Sequence, residues 1–316
     1  MAADPGQGGA GHVTILMALH EGAAHLPAQF ASLLSQTHRD WSLVAGVDGT
    51  SDGTLAMLRD LAARHPGRVR RLTRGPRRGA AAHFMALLRD LGPAPGHVAF
   101  ADQDDVWLPD RLARGLAGLA RFGAEPAMAC APTIVVDARL RGGQPSAAPC
   151  RPLGFRNALV QNVAAGNTIL LNPAAAALAV AAAAEAGAVT LHDWWLYQLV
   201  TGAGGHVAFD DVPALLYRQH GTNVIGANLG LRARARRLRW MLDGTWARWN
   251  AANRAALGAS AHRLTPEARA TLAGFADLPG LSGPLARLRA LFRLGLYRQT
   301  TRASAALWLA AALRRM

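Results

Sequence analysis

The chain contains no lysine: all 34 of its basic side chains are arginine, against 20 acids, for a formal net charge of +14. An all-arginine usage fits a biased genome and by itself assigns no chemistry. Cysteine is nearly as scarce. Cys130 and Cys150 are too few for a disulfide framework and lack the paired spacing of a metal site, which points to a reducing setting. The N-terminal stretch MAADPGQGGAGH has neither a basic n-region nor an apolar core, so no export signal is expected and the chain is placed in the cytoplasm. Long apolar runs are missing as well. The nearest candidate, PAAAALAVAAAAEAGAV (173–189), is mostly alanine and carries Glu185, the composition of a soluble helix rather than a membrane span. What the chain has in quantity is apolar material, 51% of 316 residues, enough for one large domain or two modest ones.

Acid is missing from one end only. Residues 1–220 hold 18 arginines and 17 acids, net +1, whereas residues 221–316 hold 16 and 3, net +13. No acid follows Asp277. The segments LRARARRLRWMLDGTWARW and ARLRALFRLGLYRQTTRASAALWLAAALRRM place Arg, Leu and Trp at helical spacing, as amphipathic helices on an anionic membrane surface would. A solvated basic face packed on the rest of the chain fits the same pattern. No recognised nucleic-acid motif accompanies the charge.

The first half alternates short apolar runs with helical patterns: VTILMA (13–18), a helix near 25–37, WSLVAGVD (41–48), a helix over 54–65, VRRLT, a helix near 80–91, then HVAFAD. This βαβαβαβ order predicts an α/β fold, a Rossmann-like mostly parallel sheet flanked by helices, with ligands beyond the carboxyl ends of the strands. From about 229 the pattern turns all-helical, with breaks at LTPE and SGP, so the expected division is a domain over 12–226 and a basic helical region over 227–316.

ALHEG, VDGTSDGT and ADQDD all fall at strand ends. ADQDD crowds Asp102, Asp104 and Asp105 into four positions. Like charges so close repel, and the arrangement asks for a cation. Asp105 has a second reading, as the cap of a helix starting near Leu108. Asp193 opens the helical run LHDWWLY, as a proton acceptor or as a helix cap with Trp194 and Trp195 in the core.

The ordered segments VTILMALHEG…VDGTSDGT, RRGAAAHFMALL, FADQDDVWLPDRL, GNTILLN, LHDWWLY and YRQHGTNVIG resemble the family 2 glycosyltransferases of the GT-A fold, and within them the bacterial rhamnosyltransferase-like group. The resemblance spans residues 12 to about 226. It implies an inverting transfer of a sugar from a nucleotide diphosphate to a hydroxyl of a surface polysaccharide or glycolipid. The implied donor is dTDP-rhamnose, with a UDP-hexose as the other choice, and the acceptor is a saccharide or lipid-linked. The implied nucleotide contacts are Ala18, His20, Glu21 and Asp48, with Asp102 on the ribose and Arg218 towards the diphosphate. Asp104 and His220 would hold Mg²⁺ or Mn²⁺, for which oxygen ligands are suited. Asp193 would be the general base, and Asn167, Trp194 and Trp195 would meet the acceptor. Two departures stand out: Leu19, His20 and Glu21 occupy positions where Thr, Tyr and Asn are common, and Val47 occupies one often held by a second acid.

Overall fold

The computed structural model describes residues 11–219, 239–241 and 243–316. Two compact units emerge. One takes the chain up to Ala148 together with Ala164–Ala184 and the segment from Gly205; the other takes Pro149–Val163, Glu185–Gly204 and the C-terminal helices. The division therefore differs from a single cut near 226, because two earlier segments group with the helical end of the chain.

In the first unit, apolar runs become strands in the expected order: β1 (Val13–Leu19), β2 (Trp41–Val47), β3 (Val69–Arg74) and β4 (His97–Ala101), separated by α1 (Leu26–Leu34), α2 (Thr54–Arg64) and α3 (Ala80–Arg89). β1 and β2 are buried along nearly their whole length, as strands covered on both faces must be, and this explains their unbroken apolar sequences. β3 carries three arginines and is largely solvated, which fits its place at the sheet edge.

Farther along lie β5 (Val106–Trp107), α4 (Arg111–Ala120), β6 (Ala127–Cys130), β7 (Thr133–Val136), β8 (Gln144–Pro145), β9 (Leu170–Leu171), α6 (Pro173–Glu185), β10 (His206–Phe209) and β11 (Leu215–Arg218). Between β8 and β9 the short α5 (Phe155–Ala158) belongs to the other unit. The main sheet has the order β10-β6-β9-β4-β1-β2-β3, parallel except for β9, which runs against both of its neighbours. A second, four-stranded sheet of order β5-β11-β7-β8 was not anticipated from the sequence. It starts immediately after the acidic turn: Val106 and Trp107 pair with Leu216 and Leu215.

The second unit is helical: α5, α7 (His192–Gly202), and the helices Thr245–Ala259, Pro266–Asp277, Pro284–Arg293 and Thr301–Ala312. The LTPE break is a helix start. Thr265 caps the next helix by accepting from the Ala268 N–H at 3.1 Å, with Pro266 in its first turn. Among the described residues no helix is long and apolar enough to cross a membrane.

Candidate active site

The carboxyl ends of β4, β1, β2 and β3 are neighbours in the main sheet, the arrangement that gathers ligands in folds of this class. β1 passes through Ala18, which pairs with Gly46 of β2, and ends on the exposed His20 and Glu21. The backbone of His20 is clamped from both sides by one side chain. Its N–H donates to Gln103 Oε1 at 2.8 Å, and Gln103 Nε2 donates to its carbonyl at 2.7 Å. His20 Nδ1 also lies 2.7 Å from the Asp48 carbonyl oxygen. Glu21 adopts φ +49°, a left-handed conformation uncommon outside glycine. Its carboxylate compensates by accepting from Ser51 N at 2.8 Å and Ser51 Oγ at 3.1 Å. The ends of β1, β2 and β4 are thereby tied together by side chains as well as by the sheet ladder, which continues through the Asp48 N–H to Leu19 O at 2.7 Å.

Asp48, just past β2, is buried, and its Oδ1 accepts from the Arg77 N–H at 2.5 Å. Its setting demands glycine on two sides. A Cβ on Gly75 would fall 2.8 Å from Asp48 Cβ, and one on Gly46 would fall 2.0 Å from His83 Nε2. His83, from α3, is held by burial below the usual histidine range, against the opposing pull of the Asp48 charge. The second acid of this turn, Asp52, is structural: it accepts from Ala23 N at 2.8 Å, Thr54 N at 3.0 Å and Thr54 Oγ1 at 2.5 Å, closing the loop onto the start of α2.

The acidic turn after β4 gathers Asp102, Asp104 and Asp105, with one ligand oxygen of each within 4.8 Å of the others. Asp102 and Asp104 are half-buried, while Asp105 is fully buried. Capping does not explain Asp105, because α4 starts at Arg111 with Asp110 at its N-cap. Instead Asp105 Oδ2 accepts from Asn167 Nδ2 at 2.5 Å, and Oδ1 faces the Arg218 N–H at 3.4 Å. Burial first, and then the charges of Asp102 and Asp104, push its carboxyl well above the usual carboxylate range, only partly offset by those two donors. This group of crowded oxygen donors has the chemistry a hard divalent cation takes.

Two side chains expected at the ligand are placed differently. Arg218 is buried, and its guanidinium faces protein carbonyls: Nε donates to Asp104 O at 2.8 Å and Nη1 to Ala138 O at 2.6 Å. It holds the acidic turn from beneath. Asn167, expected at the acceptor, is 3% exposed within the 3-10 turn Gly166–Thr168 and supports Asp105. His220 lies outside the described residues. Arg111, which no sequence motif singles out, completes the buried support. It donates to Asn167 O at 2.7 Å and Phe100 O at 3.3 Å, and sits 3.3 Å over the Trp107 ring centroid. Burial pulls its pKa down to about 9, with the Asp105 charge acting in the opposite direction.

In the second unit Asp193 occupies the first turn of α7, where helix N–H groups favour a carboxylate. Leu191, not Asp193, is the N-cap. Asp193 is half-buried, and its Oδ1 accepts from the Trp194 N–H at 2.7 Å. Trp194 and Trp195 do not form an acceptor platform. Both are buried, and Trp194 Nε1 donates to Ala158 O at 2.6 Å. The run Trp194–Val200 is buried throughout, which leaves this helix no solvent face on which to display aromatics. The neighbouring His192 is buried too, which pulls its pKa down to about 3 and keeps it neutral.

Known proteins share both sequence and fold with the chain. Over 228 residues it is 24% identical to the dTDP-rhamnosyl transferase RfbG of Shigella flexneri, covering 70% of this chain and 78% of that one. It is 30% identical over 101 residues to the UDP-Glc:alpha-D-GlcNAc-diphosphoundecaprenol beta-1,3-glucosyltransferase WfgD of Escherichia coli, covering 32% and 38%. The putative glycosyltransferase EpsE of Bacillus subtilis is 29% identical over 110 residues, 34% of this chain and 38% of that one. The fold matches that of S. aureus TarS 1-349 with a TM-score of 0.54 at 12% identity, over 96% of this chain and 88% of the other. The family model for glycosyl transferase family 2 matches residues 14–166, which contain the carboxyl ends of β1 to β4 and the acidic turn. Over that span the chain carries a glycosyl transferase family 2 domain, on a mostly parallel sheet of the GT-A type followed by a helical C-terminal extension.

Proposed function

We propose that the protein is an inverting, divalent-metal-dependent glycosyltransferase that moves rhamnose from dTDP-rhamnose to a hydroxyl of a growing cell-surface polysaccharide or glycolipid, at the cytoplasmic face of the membrane. The observation that carries the reading is the acidic turn: three carboxylates with oxygens within 4.8 Å, at a strand end, in a family 2 domain. The similarity to RfbG, a dTDP-rhamnosyl transferase, supports the rhamnosyl donor. A second reading, a UDP-hexose donor, is favoured by the similarity to WfgD, a UDP-Glc-dependent glucosyltransferase.

Asp104 would hold the cation, which supplies charge neutralisation of the diphosphate leaving group, with Asp102 beside it on the ribose. Asp48 and the clamped His20 and Glu21 line the strand ends beside it and would orient the nucleotide. The two-sided Gln103 clamp fixes that edge before any ligand arrives, so less ordering is left to the bound complex. Arg218, Asn167 and Arg111 act as positioning residues under the turn. Asp193 takes the proton from the acceptor hydroxyl as it attacks the anomeric carbon, and the C1–O bond to the diphosphate breaks on the opposite face. Its place in a helix first turn sets a carboxylate beside favourable backbone N–H groups.

A panel of nucleotide sugars scored by thermal shift with and without Mn²⁺ tests this directly, since a ligand that binds only the folded state raises its melting temperature. The expected result is a metal-dependent rise with dTDP-rhamnose. A rise with UDP-glucose alone selects the second reading, and no rise with any donor refutes both.

A further inference from the structure

Six large apolar side chains stand out as exposed among the described residues, and four lie in the last two helices: Leu285 at 67%, Phe292 at 59%, Leu309 at 50% and Leu313 at 51%. Their spacing is regular. Leu285, Arg289 and Phe292 share one stripe of the helix Pro284–Arg293, while its other side, Arg287 and Leu291, is buried. On Thr301–Ala312 the exposed stripe is Arg302, Ala305, Ala306 and Leu309, continuing to Leu313, with Leu307, Ala310 and Ala311 buried behind it.

The two helices are tied together. The buried Arg287 donates to Ala311 O at 2.8 Å and to Ala312 O at 2.6 Å, capping the second helix with a cation at its negative end. The Phe292 and Trp308 rings meet at 5.3 Å, so the apolar stripe of the first helix touches the flank of the second. Behind those rings lies a cleft of about 200 Å³, lined also by Arg151, Tyr297 and Ser304. Every charged side chain after Asp277 is an arginine, and Arg289, Arg293, Arg302, Arg314 and Arg315 are all exposed.

Solvated helix faces rarely keep several large apolar groups without a partner. A protein partner that covered them would also have to bring acids to meet the surrounding arginines. An anionic bilayer satisfies both demands at once: its headgroups take the guanidinium groups and its interfacial region takes Leu, Phe and Trp. We propose that the helix pair Pro284–Arg293 and Thr301–Ala312 is a membrane-docking face that lays Leu285, Phe292, Leu309 and Leu313 into an anionic lipid surface. This rests on the membrane placement proposed above and not on the sugar chemistry.

Flotation of the full chain with vesicles of phosphatidylcholine, and of phosphatidylcholine mixed with phosphatidylglycerol, tests the proposal. Wild type floats with the mixed vesicles and is released by salt only in part, because the apolar contribution is not screened. Each of Leu285→Ser, Phe292→Ser, Leu309→Ser and Leu313→Ser weakens partitioning by about tenfold, the effect of withdrawing one such side chain from an apolar setting. Arg289→Gln, Arg293→Gln and Arg302→Gln weaken it by about fivefold each, on the anionic vesicles alone. All seven positions are exposed, so far-UV circular dichroism stays unchanged. Sugar transfer to a water-soluble acceptor also stays unchanged, which keeps a failed membrane proposal separate from a failed transferase reading.

Serine variants that float like wild type would overturn the insertion. So would a wild-type dimer in analytical ultracentrifugation that Leu285→Ser and Phe292→Ser dissociate without any change in flotation, which would make the face an interface between copies.

Discussion

Arg218 offers the sharpest separation between holding the site and binding the ligand. Its guanidinium is buried and makes charge-assisted hydrogen bonds to two carbonyls, Asp104 O at 2.8 Å and Ala138 O at 2.6 Å. Bonds of this kind contribute about 1.5 to 3 kcal/mol each, so Arg218→Met removes at most about 3 to 6 kcal/mol. Water reaching the half-buried turn recovers part of this, and a net loss of about 3 kcal/mol is expected. For a unit of this size each kcal/mol moves the melting temperature by about 2 to 4 °C, giving a fall of about 6 to 12 °C in a thermal melt followed by circular dichroism. Arg218→Lys keeps the charge but has one compact ammonium where two diverging donors are needed, so it should restore only one bond and about half of the loss. Donor binding, measured by calorimetry well below the melting transition, falls in both variants in proportion to the loss of stability. A methionine variant that melts with the wild type yet no longer binds donor would refute this account and return Arg218 to the diphosphate.

Three further outcomes are expected. Asp104→Ala abolishes metal-dependent nucleotide binding without unfolding the protein, and full wild-type activity in excess EDTA would sink the metal assignment. Asp193→Asn retains near-normal donor and metal affinity while kcat falls by about 10² to 10⁴, the usual cost of losing a positioned base, and wild-type turnover would leave the base unassigned. Glu185 accepts from Arg263 Nε at 3.1 Å and Nη2 at 2.5 Å, and those bonds pull its pKa to about 2. A depressed acid stabilises the fold above its unfolded value near 4.5, and that contribution is lost as pH falls through about 2. In Glu185→Gln the acid limb of the stability curve should therefore flatten between those values, and an unchanged limb would remove the pair from the account.

The main sheet was legible because β1, β2 and β4 are apolar runs of five residues or more, separated by helical periodicity at ordinary loop lengths, with the arginine-rich β3 between two helices. The second sheet was not legible. β5 and β8 are two residues long, and β5 exists only through its pairing of Val106 with Leu216, more than a hundred positions away. The start of α4 was misplaced by three residues because Pro109 does not open it; its carbonyl accepts the Thr37 N–H at 2.8 Å, and the helix begins past Asp110. The burial of Trp194 and Trp195 did have a signal, since WWLYQLV offers no run of polar positions for a solvent face. Arg111 and Arg218 had none. In a chain with 34 arginines, nothing local distinguishes two that fold inward beneath a carboxylate cluster.

The acidic turn is better understood as two interleaved pairs than as a run of like charge. Gln103 and Asp105, the second and fourth of its residues from Asp102, are both engaged by the protein: Gln103 reaches back to clamp His20 at the end of β1, and Asp105 is received by Asn167 and the Arg218 backbone. The chain bends at Gln103 and Asp104, and anchoring Gln103 and Asp105 pins the backbone that carries Asp102 and Asp104. Both remain half-buried, neither sunk like Asp105 nor free in solvent. The two anchored side chains thus hold the turn that carries the two half-buried acids, and the raised carboxyl pKa of Asp105 follows from its burial first and from the charges of Asp102 and Asp104 second. On this account Gln103 is as necessary to the site as either flanking acid, although its amide carries no charge and is turned towards the chain itself.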